Sequence, residues 1–167
     1  MIDPEFLYAV AQVGATYAGF STLVAVVAHR RDTGPIPGLI YYMLLLSIIV
    51  VAFSFVPTVV QNYGATESVS WKVSSALYGL VWSAYWINAL LTLKSRFRIR
   101  SNLRFVNKLH TYLVHPGAIL MLFFGAFGLW GESTGAVYAT ALFIMLYMSA
   151  FLFLQIITGL LKHNASS

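Results

Sequence analysis

The chain has 167 residues, of which 59% are hydrophobic, 16% are aromatic and only 9% are charged. Soluble domains carry roughly 25% charged residues, so this composition excludes an ordinary soluble protein and indicates a membrane protein. The absence of cysteine excludes disulfides, thiolate metal sites and a cysteine nucleophile.

Five apolar runs follow one another along the chain, and polar or glycine-rich segments separate them. A helix needs about 20 apolar residues to cross a bilayer, so each run predicts one transmembrane helix. We therefore predict an all-α fold, a polytopic membrane helical bundle that forms a single membrane domain over residues 1–167. The predicted spans cover about 6–28, 39–60, 71–93, 112–130 and 136–161, and a basic cytoplasmic segment covers 94–110.

Basic residues near the spans predict the orientation, because Lys and Arg are retained on the cytoplasmic side of a membrane. With the N-terminus outside, the cytoplasmic segments hold all of the ten Lys and Arg residues except Lys72. The leading segment Met1–Glu5 is acidic and the first apolar run is long, which is atypical of a cleaved signal peptide. We expect a multi-pass protein of the cytoplasmic (inner) membrane with its C-terminus in the cytoplasm.

Apolar and basic residues alternate in the segment 94–110, so it can lie in the headgroup plane while its cations reach phosphates. This arrangement predicts membrane lipids with anionic headgroups as partners, and it accounts for the net charge of +5 without a nucleic-acid partner. A docking surface for a cytoplasmic partner or nucleic acid is the alternative. The expected lipid-headgroup contacts are Arg96, Arg98, Arg100 and Arg104.

Small residues recur at helical spacing in the first and third predicted spans. Small side chains allow helices to approach closely in a membrane. These positions therefore predict packing seams, either within one subunit or between the subunits of a homo-oligomer. The seam residues are Ala11, Ala15, Ala18, Gly19, Thr22, Ser75, Gly79 and Ser83.

Four polar residues inside the predicted spans fall at or close to one depth, roughly 5–10 Å inside the cytoplasmic boundary at 1.5 Å per residue. They predict either a hydrated vestibule or small-ligand site, or separate interhelical hydrogen bonds. His115 precedes Pro116, which suits the first turn of a helix, so we expect His115 near the interface. The candidate polar layer is Thr22, Asn88, His115 and Gln155.

Aromatic residues form a stripe along the third predicted span. Such a stripe binds a flat ligand or a cation in some proteins. It faces lipid or fills a protein core in others. The candidate aromatic stripe is Tyr78, Trp82, Tyr85 and Trp86.

The first span carries the segment Thr16-Tyr17-Ala18-Gly19-Phe20-Ser21, followed by an apolar turn and then Arg30-Arg31. This pattern resembles the opening of small uncharacterised bacterial multi-span membrane proteins that have an Ala-Gly-Phe core in their first helix. The number of spans and a Phe-Leu-Gln stretch that ends at Gln155 are also similar. The resemblance implies a bacterial cytoplasmic membrane and no particular activity.

Charged residues are absent from the interior of the predicted spans, with Lys72 at an outer end. This pattern excludes carboxylate proton relays, Schiff-base lysines and arginine voltage sensors. The motifs of phosphate loops, serine hydrolases and zinc proteases are missing as well. We expect no enzyme activity, no cofactor and no metal site.

Three classes of function remain. The packing seams and the uncharged interior favour a homo-oligomeric pore or channel-like protein. The first alternative is an accessory or scaffold subunit of a larger membrane complex, with an unlike membrane subunit as its partner. The second alternative is a carrier or sensor for a small apolar ligand, which would use the polar layer and the aromatic stripe.

Overall fold

The computed structural model describes residues 4–29, 36–96 and 109–164, and these residues contain helices and turns but no strand. The predicted all-α class is therefore confirmed for the described part of the chain. A π-helical turn, His110–Val114, leads into the fourth helix, and a 3-10 turn, Gly131–Ser133, leads into the fifth. The five helices are α1 (Pro4–His29), α2 (Ile36–Asn62), α3 (Glu67–Arg96), α4 (His115–Ala126) and α5 (Thr134–Asn164).

Three segments of the described chain are long and apolar enough to cross a membrane, against the five spans that we predicted. They are Glu5–Val26 in α1, Gly38–Asn62 in α2 and Gly131–Thr158, which contains most of α5. Helix α3 has the necessary length, at 30 residues, but its serines and its charged ends lower its hydropathy. The segment His110–Ala126 is apolar but short. The protein is thus an all-α membrane protein with three candidate membrane-spanning helices.

The described residues divide into two compact units, and the first comprises those up to Val56 together with those from Leu142 onward. Ile40, Met43 and Ile156 form a buried apolar cluster in this unit. The buried hydroxyls of Ser47 in α2 and Ser149 in α5 lie 2.9 Å apart and share a hydrogen bond. Helices α2 and α5 are therefore joined by a polar contact within an apolar core.

Helix α1 packs on α2 through Gly14. A Cβ at Gly14 would lie 3.0 Å from Val51 Cγ2 and 3.3 Å from the carbonyl oxygen of Ser47. These distances are shorter than ordinary van der Waals contacts, so any larger side chain would push the two helices apart. The glycine at this position permits the close approach of α1 to α2.

The second unit covers Pro57–Ala141, and helices α3 and α4 form its centre. A Cβ at Gly79 of α3 would lie 3.5 Å from Leu122 and from Phe123, both in α4. A Cβ at Gly125 of α4 would lie 3.3 Å from Ser75 Oγ in α3. Glycines on both helices therefore bring the two backbones close together.

Helices α2 and α4 end in the same way, with a glycine at positive φ that closes a Schellman motif. After α2, Gly64 has φ +88° and its N–H donates to the carbonyl of Gln61 at 2.8 Å. After α4, Gly128 has φ +76° and its N–H donates to the carbonyl of Gly125 at 2.9 Å. Glycine suits these two positions because side chains with a Cβ seldom adopt this conformation.

Candidate functional site

A proline within the fourth helical segment creates a backbone carbonyl that lacks its usual partner. The N–H of His115 donates to the carbonyl of His110, five residues earlier, which defines the π-helical turn. In the same register the carbonyl of Thr111 would accept from residue 116, but Pro116 has no N–H. Trp86 of α3 supplies the missing donor, since its indole Nε1–H bonds to the Thr111 oxygen at 2.8 Å.

A second tryptophan of α3 binds the same region one turn earlier. The indole Nε1–H of Trp82 donates to Nδ1 of His115 at 2.9 Å, and both side chains are buried. Acceptance of this bond requires a lone pair on Nδ1, so the imidazole is neutral and carries its proton on Nε2. The rings of Trp82 and Tyr85 both lie 6.0 Å from the imidazole, centroid to centroid. His115 is therefore enclosed by protein, and its depth relative to the membrane interface stays a prediction.

A row of aromatic rings extends from Trp82 through the second unit, each ring in contact with the next. The Tyr78 ring lies 5.4 Å from the Trp82 ring and 5.6 Å from that of Tyr138 in α5. Trp71 in turn lies 5.7 Å from Tyr138. The Tyr78 hydroxyl donates to the carbonyl of Ala141 at 3.4 Å. We call this set of rings the aromatic column, and it consists of Trp71, Tyr138, Tyr78, Trp82, Tyr85 and His115.

The predicted aromatic stripe belongs largely to this column. Tyr78, Trp82 and Tyr85 are buried, and Trp86 is half-buried. The Tyr78 ring contacts that of Trp82, and the rings of Trp82 and Tyr85 contact the imidazole of His115, so these three fill the interior of the second unit. The indole N–H groups of Trp82 and Trp86 hold α4 to α3 at the π-helical turn.

The residues of the predicted polar layer lie in different surroundings. Thr22 is exposed on α1 and its hydroxyl donates to the carbonyl of Ala18, one turn earlier. Asn88 is exposed on α3, and Gln155 is half-buried on α5. Thr22 and Gln155 belong to the first unit, whereas Asn88 and His115 belong to the second. Trp82, which the sequence did not suggest as a partner, is the residue bonded to His115.

The predicted seam on α3 lies against α4 at Ser75 and Gly79, and Ser83 is half-buried with its hydroxyl bonded to the carbonyl of Gly79. On α1 the predicted seam is divided. Ala11 is buried and Ala18 is half-buried, whereas the remaining members are exposed. The exposed members are Ala15, Gly19 and Thr22.

The exposed seam residues of α1 share a helix face with two larger polar residues, Gln12 and Thr16. Gln12 and Thr16 are exposed on this face, and helical spacing aligns them with Gly19. The Thr16 hydroxyl bonds to the carbonyl of Gln12 at 2.9 Å. The side chain of Gln12 carries an amide and lies at an exposed position. We call this surface the small polar face, and it consists of Gln12, Ala15, Thr16, Gly19 and Thr22.

No atom lies within 4 Å of the position that a Cβ would take at Gly19. Exposed positions elsewhere carry large apolar side chains, both on α1 (Leu23 and Val26) and on other helices (Ile48, Leu80 and Leu154). The five residues of the small polar face therefore differ from their large apolar neighbours, which suit contact with lipid. Gln12 was not among the predicted residues, although its position one turn before Thr16 was the available signal.

The predicted headgroup contacts fall mainly on residues that the structure does not describe. Arg96 is the last residue of α3. Arg98, Arg100 and Arg104 lie outside the described residues. Within 4–29, 36–96 and 109–164, no three His, Cys, Asp or Glu side chains are grouped so that they could bind a metal ion.

No protein-family model, curated protein or solved structure matches this chain. The fold defines its class, an all-α membrane protein with three candidate membrane-spanning helices. Any function must therefore be inferred from two features of the chain itself, the contact between α3 and α4 and the small polar face of α1.

Proposed function

We propose that this chain forms a homo-oligomeric, channel-like complex in a cytoplasmic membrane, and that α1 makes the contact between copies. The small polar face is the observation that carries the proposal. It lies on the least covered of the three candidate spans, since 22% of the α1 span is buried within the chain, compared with 44% for α2 and 39% for α5. A surface of this kind needs a partner other than lipid.

The polar groups of this face explain why a partner is needed. Transfer of an amide into an apolar environment without a hydrogen bond costs about 2–7 kcal/mol. The Gln12 amide would carry that cost if α1 faced hydrocarbon. Water in a channel or a polar group on a neighbouring helix would remove it.

A second copy of the chain presents the same face. Ala15 and Gly19 allow two α1 helices to approach closely, because neither side chain extends beyond a methyl group. In a ring of copies, Gln12 and Thr16 can then reach neighbouring chains or a hydrated central path. This arrangement favours the channel-like class over a carrier based on the aromatic stripe, whose rings already pack on one another.

We further propose that α3 and α4 cross the membrane together, which gives five crossings with the N-terminus outside. Helix α3 has 30 residues and spans about 45 Å at 1.5 Å per residue. Ser70, Ser74 and Ser75 lower its hydropathy, but all three are buried and do not face lipid. The distribution of basic residues supports the orientation.

The experiment is reconstitution of the full chain into vesicles, with measurement of both copy number and ion flux. The wild-type chain is expected to assemble and to raise flux above that of empty vesicles. Gln12→Leu should reduce flux because it removes the polar amide, and Gly19→Leu should reduce assembly because it blocks close approach. Gly117→Leu is the matched control, since Gly117 also has no atom within 4 Å of its would-be Cβ.

Two results would contradict the proposal. One is a monomer in lipid nanodiscs, and the other is an oligomer whose size and flux are the same in the wild type and in both α1 variants. An unlike protein that co-purifies from native membranes, with no self-association of this chain, would favour the accessory-subunit alternative.

A further inference from the structure

The turn between α4 and α5 exposes large apolar side chains. Phe127 is 78% exposed, Leu129 is 69% exposed and Trp130 is 40% exposed. A turn that extends into water normally carries polar side chains. The corresponding turn after α2 follows that pattern, since Tyr63 and Thr66 are exposed in the turn and Gln61 and Asn62 are exposed at the end of the helix.

Four backbone N–H groups of this turn are hydrogen-bonded within the chain. The N–H groups of Phe127, Gly128 and Leu129 donate to carbonyls of α4 at 2.9–3.0 Å. The N–H of Gly131 donates to the carbonyl of Gly128 at 3.1 Å. In addition, the indole Nε1–H of Trp130 bonds to the carbonyl of Met121 at 3.0 Å. Backbone groups surrounded by lipid must form their hydrogen bonds within the protein, because lipid acyl chains offer no partners.

The π-helical turn and α4 together are short enough to leave the α4–α5 turn within the hydrocarbon layer. The π-helical turn has 5 residues and α4 has 12, so together they rise about 25 Å at 1.5 Å per residue. The hydrocarbon core of a bilayer is about 30 Å thick. A segment that enters from the His110 end therefore stops short of the opposite headgroups, and the turn that follows remains beside acyl chains.

Two charged residues mark the boundary of the apolar surface. The side chain of Lys72 lies beside Gly128, with its Nζ 3.1 Å from the position that a Cβ on Gly128 would take. Glu132 is exposed immediately beyond the turn. A lysine can keep its ammonium at headgroup level while its carbon stem lies along apolar surface. These two charges therefore fit the phosphate level, with Phe127 and Leu129 below it.

We propose that the α4–α5 turn inserts into the lipid leaflet, with Phe127 and Leu129 in contact with phospholipid acyl chains and Lys72 at the level of the phosphates. The insertion requires that α4 and α5 cross a membrane. It does not depend on how many copies of the chain assemble, so a monomeric protein would leave it unaffected.

The chain contains no cysteine, so a single introduced cysteine can carry a polarity-sensitive fluorophore. Leu129→Cys places the label in the α4–α5 turn. Tyr63→Cys is the matched control, because Tyr63 is 90% exposed in a turn with the same Schellman closure but polar neighbours. Both labelled proteins are reconstituted into phosphatidylcholine vesicles, with and without spin-labelled acyl chains.

The label at position 129 is expected to emit at shorter wavelength than the label at 63. It should be quenched severalfold more by spin-labelled acyl chains and less by aqueous iodide. Equal iodide quenching at the two positions, with no effect of the spin-labelled lipid on either, would overturn the insertion. Phe127→Cys provides a second position with the same expectation if the Leu129 variant does not fold.

Discussion

The indole of Trp82 donates a hydrogen bond to Nδ1 of His115 across the contact between α3 and α4, at 2.9 Å. Trp82 is 0% exposed and His115 is 8% exposed, so water cannot replace either partner. Trp82→Phe removes the indole N–H and one of the two fused rings, so it leaves the Nδ1 acceptor unpaired and a small cavity beside it. We expect a loss of about 1–3 kcal/mol in the free energy of unfolding. Unfolding in detergent micelles, followed by circular dichroism, measures it.

Trp130→Phe is the control for that substitution. The Trp130 indole also donates a hydrogen bond, to the carbonyl of Met121. The Trp130 side chain is 40% exposed, so the Met121 carbonyl depends less on the indole than a buried acceptor would. A loss as large for Trp130→Phe as for Trp82→Phe would mean that burial of the imidazole is not the cause.

The bond from Trp86 to Thr111 predicts an energetic coupling with Pro116. Trp86→Phe should destabilise the protein because it leaves the Thr111 carbonyl without a donor. Pro116→Ala restores a backbone N–H, which gives the same carbonyl a partner within its own helix. In the Pro116→Ala background, we therefore expect Trp86→Phe to cost about 1 kcal/mol less than it does alone.

A double-mutant cycle of the four proteins measures this coupling in the same unfolding assay. Additive effects of the two substitutions would show that the indole acts only by filling space. The packing lost in Trp86→Phe is the same in both backgrounds and cancels in the cycle, so the comparison isolates the hydrogen bond.

Glycine-to-alanine substitutions should change the free energy of unfolding in opposite directions at packed and open positions. Alanine normally stabilises a helix interior by about 0.5–1 kcal/mol relative to glycine. Gly117→Ala should show this gain, since its Cβ would meet no atom within 4 Å. Gly14→Ala should instead lose about 1–3 kcal/mol, because its Cβ would lie 3.0 Å from Val51 and 3.3 Å from a backbone carbonyl.

Thermal unfolding of both variants in one detergent tests the difference in sign. A stabilising Gly14→Ala would show that α1 can move away from α2 without loss, and the assignment of Gly14 as a packing residue would then fail.

The proposed orientation predicts which introduced cysteines react from outside the membrane. Ser68→Cys and Ser133→Cys should react with an impermeant thiol reagent added to intact cells, because both positions are exposed and are expected outside. Asn102→Cys lies outside the described residues, and it should react only after the membrane is opened. Reaction of the Asn102 variant in intact cells would reverse the orientation.

The apolar runs predicted the helices well because hydrophobicity along a chain is a local property. Each of the five predicted runs overlaps one helix, although the fourth run, 112–130, extends four residues beyond the end of α4 at Ala126. Pro116 occupies the first turn of α4 as expected. Hydropathy is a weaker guide to α3. Its buried serines are counted as polar wherever they point, so a sequence average cannot separate an interior face from a lipid face.

The candidate site was harder to predict because its contacts join distant parts of the chain. Trp86 and Thr111 are 25 residues apart, and nothing local shows that an indole will satisfy the carbonyl that Pro116 leaves open. The same holds for Trp82 and His115, which are 33 residues apart. The small polar face required knowledge of which side of α1 the rest of the chain covers.

The Thr111 carbonyl depends on Trp86 for a hydrogen-bond donor, and this dependence has a consequence for the biogenesis of the protein. The carbonyl of Thr111, in the π-helical turn before α4, would lack this donor for as long as the segment stood apart from α3. Because α3 precedes α4 along the chain, its tryptophans are already synthesised when Pro116 emerges from the ribosome. We therefore expect the insertion machinery to release α3 and α4 into the bilayer as a hairpin, not one helix after the other.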